Sequence, residues 1–170
     1  NVTTIDIETE YEGGFPQVEV ADQKVLAITI KNNIDGIYHV WGLQDYDTEK
    51  ALIKPVNYVK CESEPELLAR FVSHWRQEEN LPDVITGWNV RFFDIPYLVN
   101  RINRVCGVDM VRQFSPWGLI DQRKIRRLNR EEMTYDIKGI QTMDYLELFQ
   151  KFGYSYGKQE SYKLDHIAHV

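Results

Sequence analysis

Asp6 and Glu8 stand two apart in Val2-Thr3-Thr4-Ile5-Asp6-Ile7-Glu8, and side chains two apart on a strand share one face. Two desolvated carboxylates at that spacing repel each other, so a divalent cation is the natural compensating charge in a strand otherwise built of Ile and Val. An edge strand with a wet outer face accounts for the same pair without a metal. A second group is Thr86-Gly87-Trp88-Asn89-Val90-Arg91-Phe92-Phe93-Asp94, which reads as a strand running into a turn that delivers an acid at the start of a helix. Asp94 there is either an N-cap on free backbone N–H groups or a third metal ligand at a strand's carboxyl end, where α/β sheets place ligands. Asn89 is suited to orienting substrate or bracing the turn. Phe92 and Phe93 are suited to packing in the core or stacking on a base.

The elements that must position these acids follow from pattern. Lys24 to Ile30 and Ile37 to Trp41 read as strands around the turn chemistry of Asn32, Asn33, Asp35 and Gly36, so three antiparallel strands open the domain. Another strand is expected around Asn57-Tyr58-Val59. Ser63-Glu64-Pro65-Glu66 is a capping-box pattern that starts a helix with Leu67, Leu68, Phe71, Val72 and Trp75 on its buried face. Asp83 to Trp88 reads as a central parallel strand. Ile95, Leu98, Val99, Ile102 and Val105 mark a second amphipathic helix closed by Gly107. Residues Ile120 to Ile137 alternate on either side of Asn129 and predict a charged β-hairpin. Gly139 to Tyr145 leads through a possible strand into the helical Leu146-Glu147-Leu148-Phe149. Together these predict an α/β domain with a mixed five-stranded sheet and flanking helices. The first strand belongs at its centre, which puts Asp6 and Glu8 on a buried platform.

Composition limits the function classes. The 170 residues suit one domain, and apolar (43%) and charged (27%) fractions are those of a globular chain with no membrane-length apolar run. The net charge of -6 argues against holding duplex nucleic acid by phosphate neutralisation alone. Arg123, Lys124, Arg126, Arg127 and Arg130 form the one basic cluster, either a solvated face or a local phosphate contact. Cys61 and Cys106 are too few for a disulfide framework and point to a reducing, cytoplasmic setting. His166 and His169 have no Cys or third His beside them and do not make a zinc site. No phosphate-binding Gly loop or nucleophile elbow is present, which disfavours P-loop ATPases, kinases and α/β-hydrolases.

The pairing of Asp6-Ile7-Glu8 with Asn89-x-x-x-Phe93-Asp94 resembles the first and second exonuclease motifs of family B DNA polymerases. Phe15-Pro16, Ala27-Ile28-Thr29, Thr86-Gly87-Trp88-Asn89, Asp94-Ile95-Pro96-Tyr97, Phe114-Ser115-Pro116 and Asp144-Tyr145-Leu146-Glu147-Leu148 extend the resemblance to the replicative polymerases of T-even-type bacteriophages over nearly the whole chain. The resemblance implies an RNase H-like 3′-5′ proofreading exonuclease domain using two Mg²⁺ or Mn²⁺ ions. Asp6 would bridge both ions, Glu8 would hold the ion carrying the attacking water, and Asp94 would serve the second. Asn89, Phe93, Arg126 and Arg127 would contact the frayed or single-stranded primer 3′ end, the two arginines from a hairpin that parts primer from template.

The family's third motif, a Tyr and an Asp separated by three residues, has no match near the C-terminus. Ser161-Tyr162-Lys163-Leu164-Asp165 is one residue short, so Asp165 is not assigned as a ligand. Residues 1–170 are thus expected to be a monomeric exonuclease-domain fragment that stops before its fourth carboxylate, works beside the rest of a polymerase chain in a host cytoplasm, and has weak activity alone. A non-catalytic module for single-stranded DNA or polymerase structure is the alternative, and the retained Asp6, Glu8 and Asp94 speak against it. A free-standing repair or RNA-trimming exonuclease is a third reading, disfavoured by the breadth of the phage-polymerase resemblance.

Overall fold

The computed structural model describes residues 1–127 and 130–169, and of Arg127 and Arg130 the backbone alone. The hairpin tip at Asn129 and the Arg127 side chain therefore lie outside the described residues. Strands β1 (Val2–Thr9), β2 (Val25–Asn32) and β3 (Tyr38–Gly42) pair antiparallel in succession, as their alternation predicts. β4 (Val56–Lys60) pairs parallel to β3. On the other side of β1, β5 (Val84–Gly87) and β8 (Gln141–Asp144) add parallel strands, giving the order β4-β3-β2-β1-β5-β8. The sheet has six strands rather than the expected five. The additional edge strand is the four-residue Gln141-Thr142-Met143-Asp144, within the Gly139 to Tyr145 stretch marked as a possible strand and too short to show a clear period.

Helix α1 (Glu64–Trp75) starts where Ser63 accepts from the Glu66 N–H at 3.5 Å. Glu66 reaches back one residue further than a strict capping box, to the Glu62 N–H at 2.9 Å. Helix α2 (Asp94–Cys106) ends at Gly107, whose φ of 88° suits a residue without Cβ. Both helices bury their apolar stripes against one face of the sheet. Ile5, Ile7, Ile28, Ile30 and Trp41 meet Leu67, Phe71, Trp75, Ile95, Leu98 and Ile102 in a single core. A short helix α3 (Val108–Arg112), which the sequence pattern does not announce, turns the chain towards Phe114; the Phe114 carbonyl accepts from the Trp75 indole at 3.1 Å. The predicted hairpin is present as β6 (Ile120–Arg127) and β7 (Arg130–Ile137), a separate two-stranded sheet. Helix α4 (Tyr145–Phe152) follows β8 directly, and a one-turn α5 (Leu164–Ile167) lies near the C-terminus. No described helix is long and apolar enough to cross a membrane.

One buried ion pair ties the two core helices to the loop between β1 and β2. The Arg101 guanidinium donates to both Glu64 oxygens at 2.7 Å and to the carbonyls of Ala21 and Asp22 at 2.9 Å. Glu64 also accepts from the Val25 N–H at 2.8 Å, so the pair fixes the start of β2. Its charges are hydrogen-bonded on all sides, and removing one partner leaves the other desolvated. Arg101→Met is therefore expected to lower stability by about 3–5 kcal/mol in urea denaturation. Arg70→Met, which breaks an exposed Arg70–Glu66 contact of the same 2.7 Å length, should cost no more than about 0.5 kcal/mol. Equal losses in the two variants would refute this account of the core.

Candidate metal and nuclease site

β1 pairs antiparallel with β2 on one side and parallel with β5 on the other. Its alternation sends Ile5 and Ile7 into the core and Asp6 and Glu8 outward. Both acids are exposed on the sheet face opposite the core, which corrects the expectation of a buried platform. A central strand is covered on the face its helices reach, and α1 and α2 pack on the Ile5 and Ile7 side. Even so, the Asp6 carboxyl is held above the usual carboxylate range, first by partial desolvation and then by the Glu8 charge.

The register between β1 and β5 ends at Thr4 and Thr86. Beyond it β5 turns away at Gly87, whose φ of 153° is open to glycine and whose added Cβ would lie 2.7 Å from the Ile5 carbonyl oxygen. Asn89 follows with a φ of 63°, in the left-handed region that Asn tolerates better than most residues. Its carbonyl accepts from the Phe92 and Phe93 N–H groups at 3.2 and 3.0 Å. These backbone bonds brace the turn.

This turn delivers Asp94 onto β1. Asp94 is 3% exposed, and its Oδ1 accepts from the Ile7 N–H at 3.1 Å, between the two outward acids. It does not act as the N-cap of α2: Phe93 occupies that position, and no side-chain cap bond is made there. The Asp94 pKa is pushed up to about 7, chiefly by burial, then by the Asp6 charge and, further down, by Asp144. The structure therefore couples Asp6 to Asp94 and Asp6 to Glu8. Among the described residues, however, no group of three or more His, Cys, Asp or Glu side chains is arranged to hold a metal ion. The hard oxygen donors suit Mg²⁺ or Mn²⁺, and the acids approach in pairs rather than as a closed cage.

Phe93 is partly buried and packs its ring on Tyr97 and on Phe15, with centroids 5.6 and 5.3 Å apart. Phe15 is 73% exposed and is an aromatic that the sequence reading left without a site role. Arg126 is exposed on β6, opposite Glu131 on β7. Asp144 is the other residue that sequence reasoning passed over. It is 2% exposed, and its oxygens accept from the N–H groups of Asn89 (3.1 Å), Arg91 (2.9 Å) and Leu146 (2.9 Å). The available signal was an Asp directly before a helical Tyr-Leu-Glu-Leu run, an N-cap position; nothing in that spacing shows the reach to residues 89 and 91.

The raised Asp94 pKa fixes a sign. A carboxyl that holds its proton more tightly folded than unfolded makes stability fall as pH rises from about 4 to its folded pKa of about 7. The full penalty, roughly 4 kcal/mol, applies above that range. With chelator present, Asp94→Asn should therefore raise the melting temperature at pH 8, and the gain should shrink towards nothing near pH 4. A gain of the same size at both pH values would contradict the assignment.

Residues 1–167 match the model of the DNA polymerase family B exonuclease domain. Over 98% of its length the chain is 30% identical to the DNA-directed DNA polymerase of Escherichia phage RB69 and 27% identical to that of Enterobacteria phage T4. It is also 30% identical, over 62% of its length, to a DNA polymerase of Red sea bream iridovirus. The chain spans about a fifth of the length of the two phage relatives (20% of each). With its acid-bearing central strand in a mixed, RNase H-like sheet, the chain belongs to the exonuclease-domain family of family B DNA polymerases.

Proposed function

We propose that this domain removes nucleotides from the 3′ end of single-stranded or frayed DNA, as the proofreading exonuclease of a DNA polymerase. One observation carries the reading beyond family membership: Asp94 crosses from the end of the parallel half of the sheet to bond the Ile7 N–H, between Asp6 and Glu8. Asp6, Glu8 and Asp94 are the residues that would hold Mg²⁺ or Mn²⁺. Bound there, such ions would lower the pKa of an attacking water and stabilise the departing 3′ oxygen.

The chain's own groups do the rest. Asp94, with a pKa near neutrality, must lose its proton before its carboxylate serves a cation. Glu8, exposed at the sheet surface, is open to an incoming strand. Phe93 and Phe15 form an aromatic step beside α2 on which a base can stack. The β6–β7 hairpin, with five basic and four acidic residues between Ile120 and Ile137, is a candidate for contacting phosphates as the strands part. The working setting of this reading is a longer polymerase chain in a host cytoplasm.

Asp6→Asn and Glu8→Gln should each lower excision of a 5′-labelled oligonucleotide by at least about 100-fold while leaving the fold intact. Mn²⁺ affinity should strengthen between pH 6 and 8 in the wild type. Undiminished excision in both variants would overturn the nuclease reading in favour of a DNA-binding module. Arg126→Ala should slow excision from a paired primer end about three- to tenfold more than from a single strand, and equal slowing on the two substrates would remove strand separation from the role of the hairpin.

A further inference from the structure

We propose that Asp144 is a positioning residue of the nuclease site, plugging the backbone N–H groups left open in the turn after β5 and so holding Asp94 against β1. The proposal rests on the nuclease reading above and adds a residue that touches neither substrate nor reacting atoms.

Three observations converge. The first is placement: β8 pairs parallel with β5 and sets Asp144 directly beside Gly87, the residue at which β5 leaves β1. The second is chemistry. Asn89 lies in the left-handed region, and N–H groups two residues apart that converge at such a turn form an anion-binding concavity. Here that concavity is filled from within the chain, by Asp144 Oδ1 on the Asn89 N–H and Oδ2 on the Arg91 N–H, at 3.1 and 2.9 Å. Capping α4 takes only the bond to the Leu146 N–H. The two additional bonds, 55 and 53 residues away in sequence, serve the turn and not the helix.

The third observation is that the same turn is gripped from its other side. The Arg91 carbonyl accepts from the Thr134 hydroxyl at 3.0 Å, and the Arg91 guanidinium meets Glu147 at 3.1 Å. The peptide groups of residues 89–91 are therefore fixed on two sides, and Asp94 follows three residues later. With both oxygens bonded to amides and the side chain 2% exposed, Asp144 is closed to a cation. Charged acceptors on backbone N–H groups make shorter and stronger bonds than neutral ones, so a carboxylate is the side chain that holds this turn most tightly.

The test compares Asp144→Ala, Asp144→Asn and Ser63→Ala in the full-length protein. Ser63→Ala removes another helix cap, far from the turn in sequence. Amide exchange followed by mass spectrometry should show residues 88–94 opening at least about tenfold faster in D144A and unchanged in S63A. On a single-stranded oligonucleotide, kcat should fall roughly 10- to 100-fold in D144A with KM within about twofold of wild type.

D144N should lie between, because Asn keeps an acceptor for Asn89 and Leu146 and turns a donor on Arg91; it also keeps the test decisive if D144A does not fold. Wild-type kcat in a folded D144A or D144N, or a kcat loss that S63A reproduces, overturns the proposal. A wild type that releases no nucleotides overturns the nuclease reading instead, and the exchange rates then decide by themselves whether Asp144 holds the turn.

Discussion

The Ile7 N–H has to be satisfied at the point where two neighbouring strands separate, and the rest of the site follows from how this is done. β5 pairs with β1 only as far as Thr4, so the β1 backbone beyond it loses its parallel partner while its side chains remain in the core. An unpaired buried N–H costs about 1–3 kcal/mol. Asp94 supplies the missing acceptor. A carbonyl or hydroxyl would also satisfy the N–H, but a carboxylate brings a charge next to Asp6, and the desolvation and repulsion that follow raise its pKa to about 7. The strand separation thus creates both the anchoring point and the electrostatic tension of the site.

That tension is tolerable because the sheet divides its labour by the period of two. Ile5 and Ile7 join the core, while Asp6 and Glu8 look outward. Solvent screens the outer pair, and the only acid of the three taken fully inside is the one with a backbone donor of its own. β1 also has an antiparallel neighbour on one side and a parallel one on the other, and in α/β sheets a ligand crevice forms where neighbouring strands lead their connections apart. The acids therefore collect where the backbone topology already opens the sheet, and no separate cavity has to be built for them.

Much of this was legible in the sequence. Alternation located β1, β2 and β3, Ser63 and Gly107 marked helix ends, and the charged run about Asn129 foretold the hairpin. Asp6, Glu8 and Asp94 stood out because each is an acid in apolar company. β8 was marked only as a possible strand within Gly139 to Tyr145, because four residues with little apolar content are fixed by their ladder with β5. The exposure of Asp6 and Glu8 follows the alternation with Ile5 and Ile7; the expectation of burial came from taking a central strand to be covered on both faces. Asp94 looked like an N-cap because N-caps are read from neighbours in sequence, whereas its partner lies on a strand 87 residues away. The role of Asp144 is hidden for the same reason.

The hairpin shows how a charged, exposed element can still be held in a definite place. Arg126 stands opposite Glu131 in its register and Arg123 meets Asp136 diagonally at 2.6 Å, but such exposed pairs contribute little stability. The root fixes it. The Tyr135 hydroxyl donates to the Asn100 side-chain oxygen at 2.6 Å, and the Asn100 amide donates to the Val18 carbonyl at 2.8 Å. Asn100 thereby joins β7, α2 and the loop that carries Phe15. Thr134, next to Tyr135, holds the Arg91 carbonyl. Hairpin, aromatic step and acid-bearing turn are thus fastened along the first half of α2, from Phe93 to Asn100. The place of the hairpin is therefore set by these hydrogen bonds at its root and not by its surface charge.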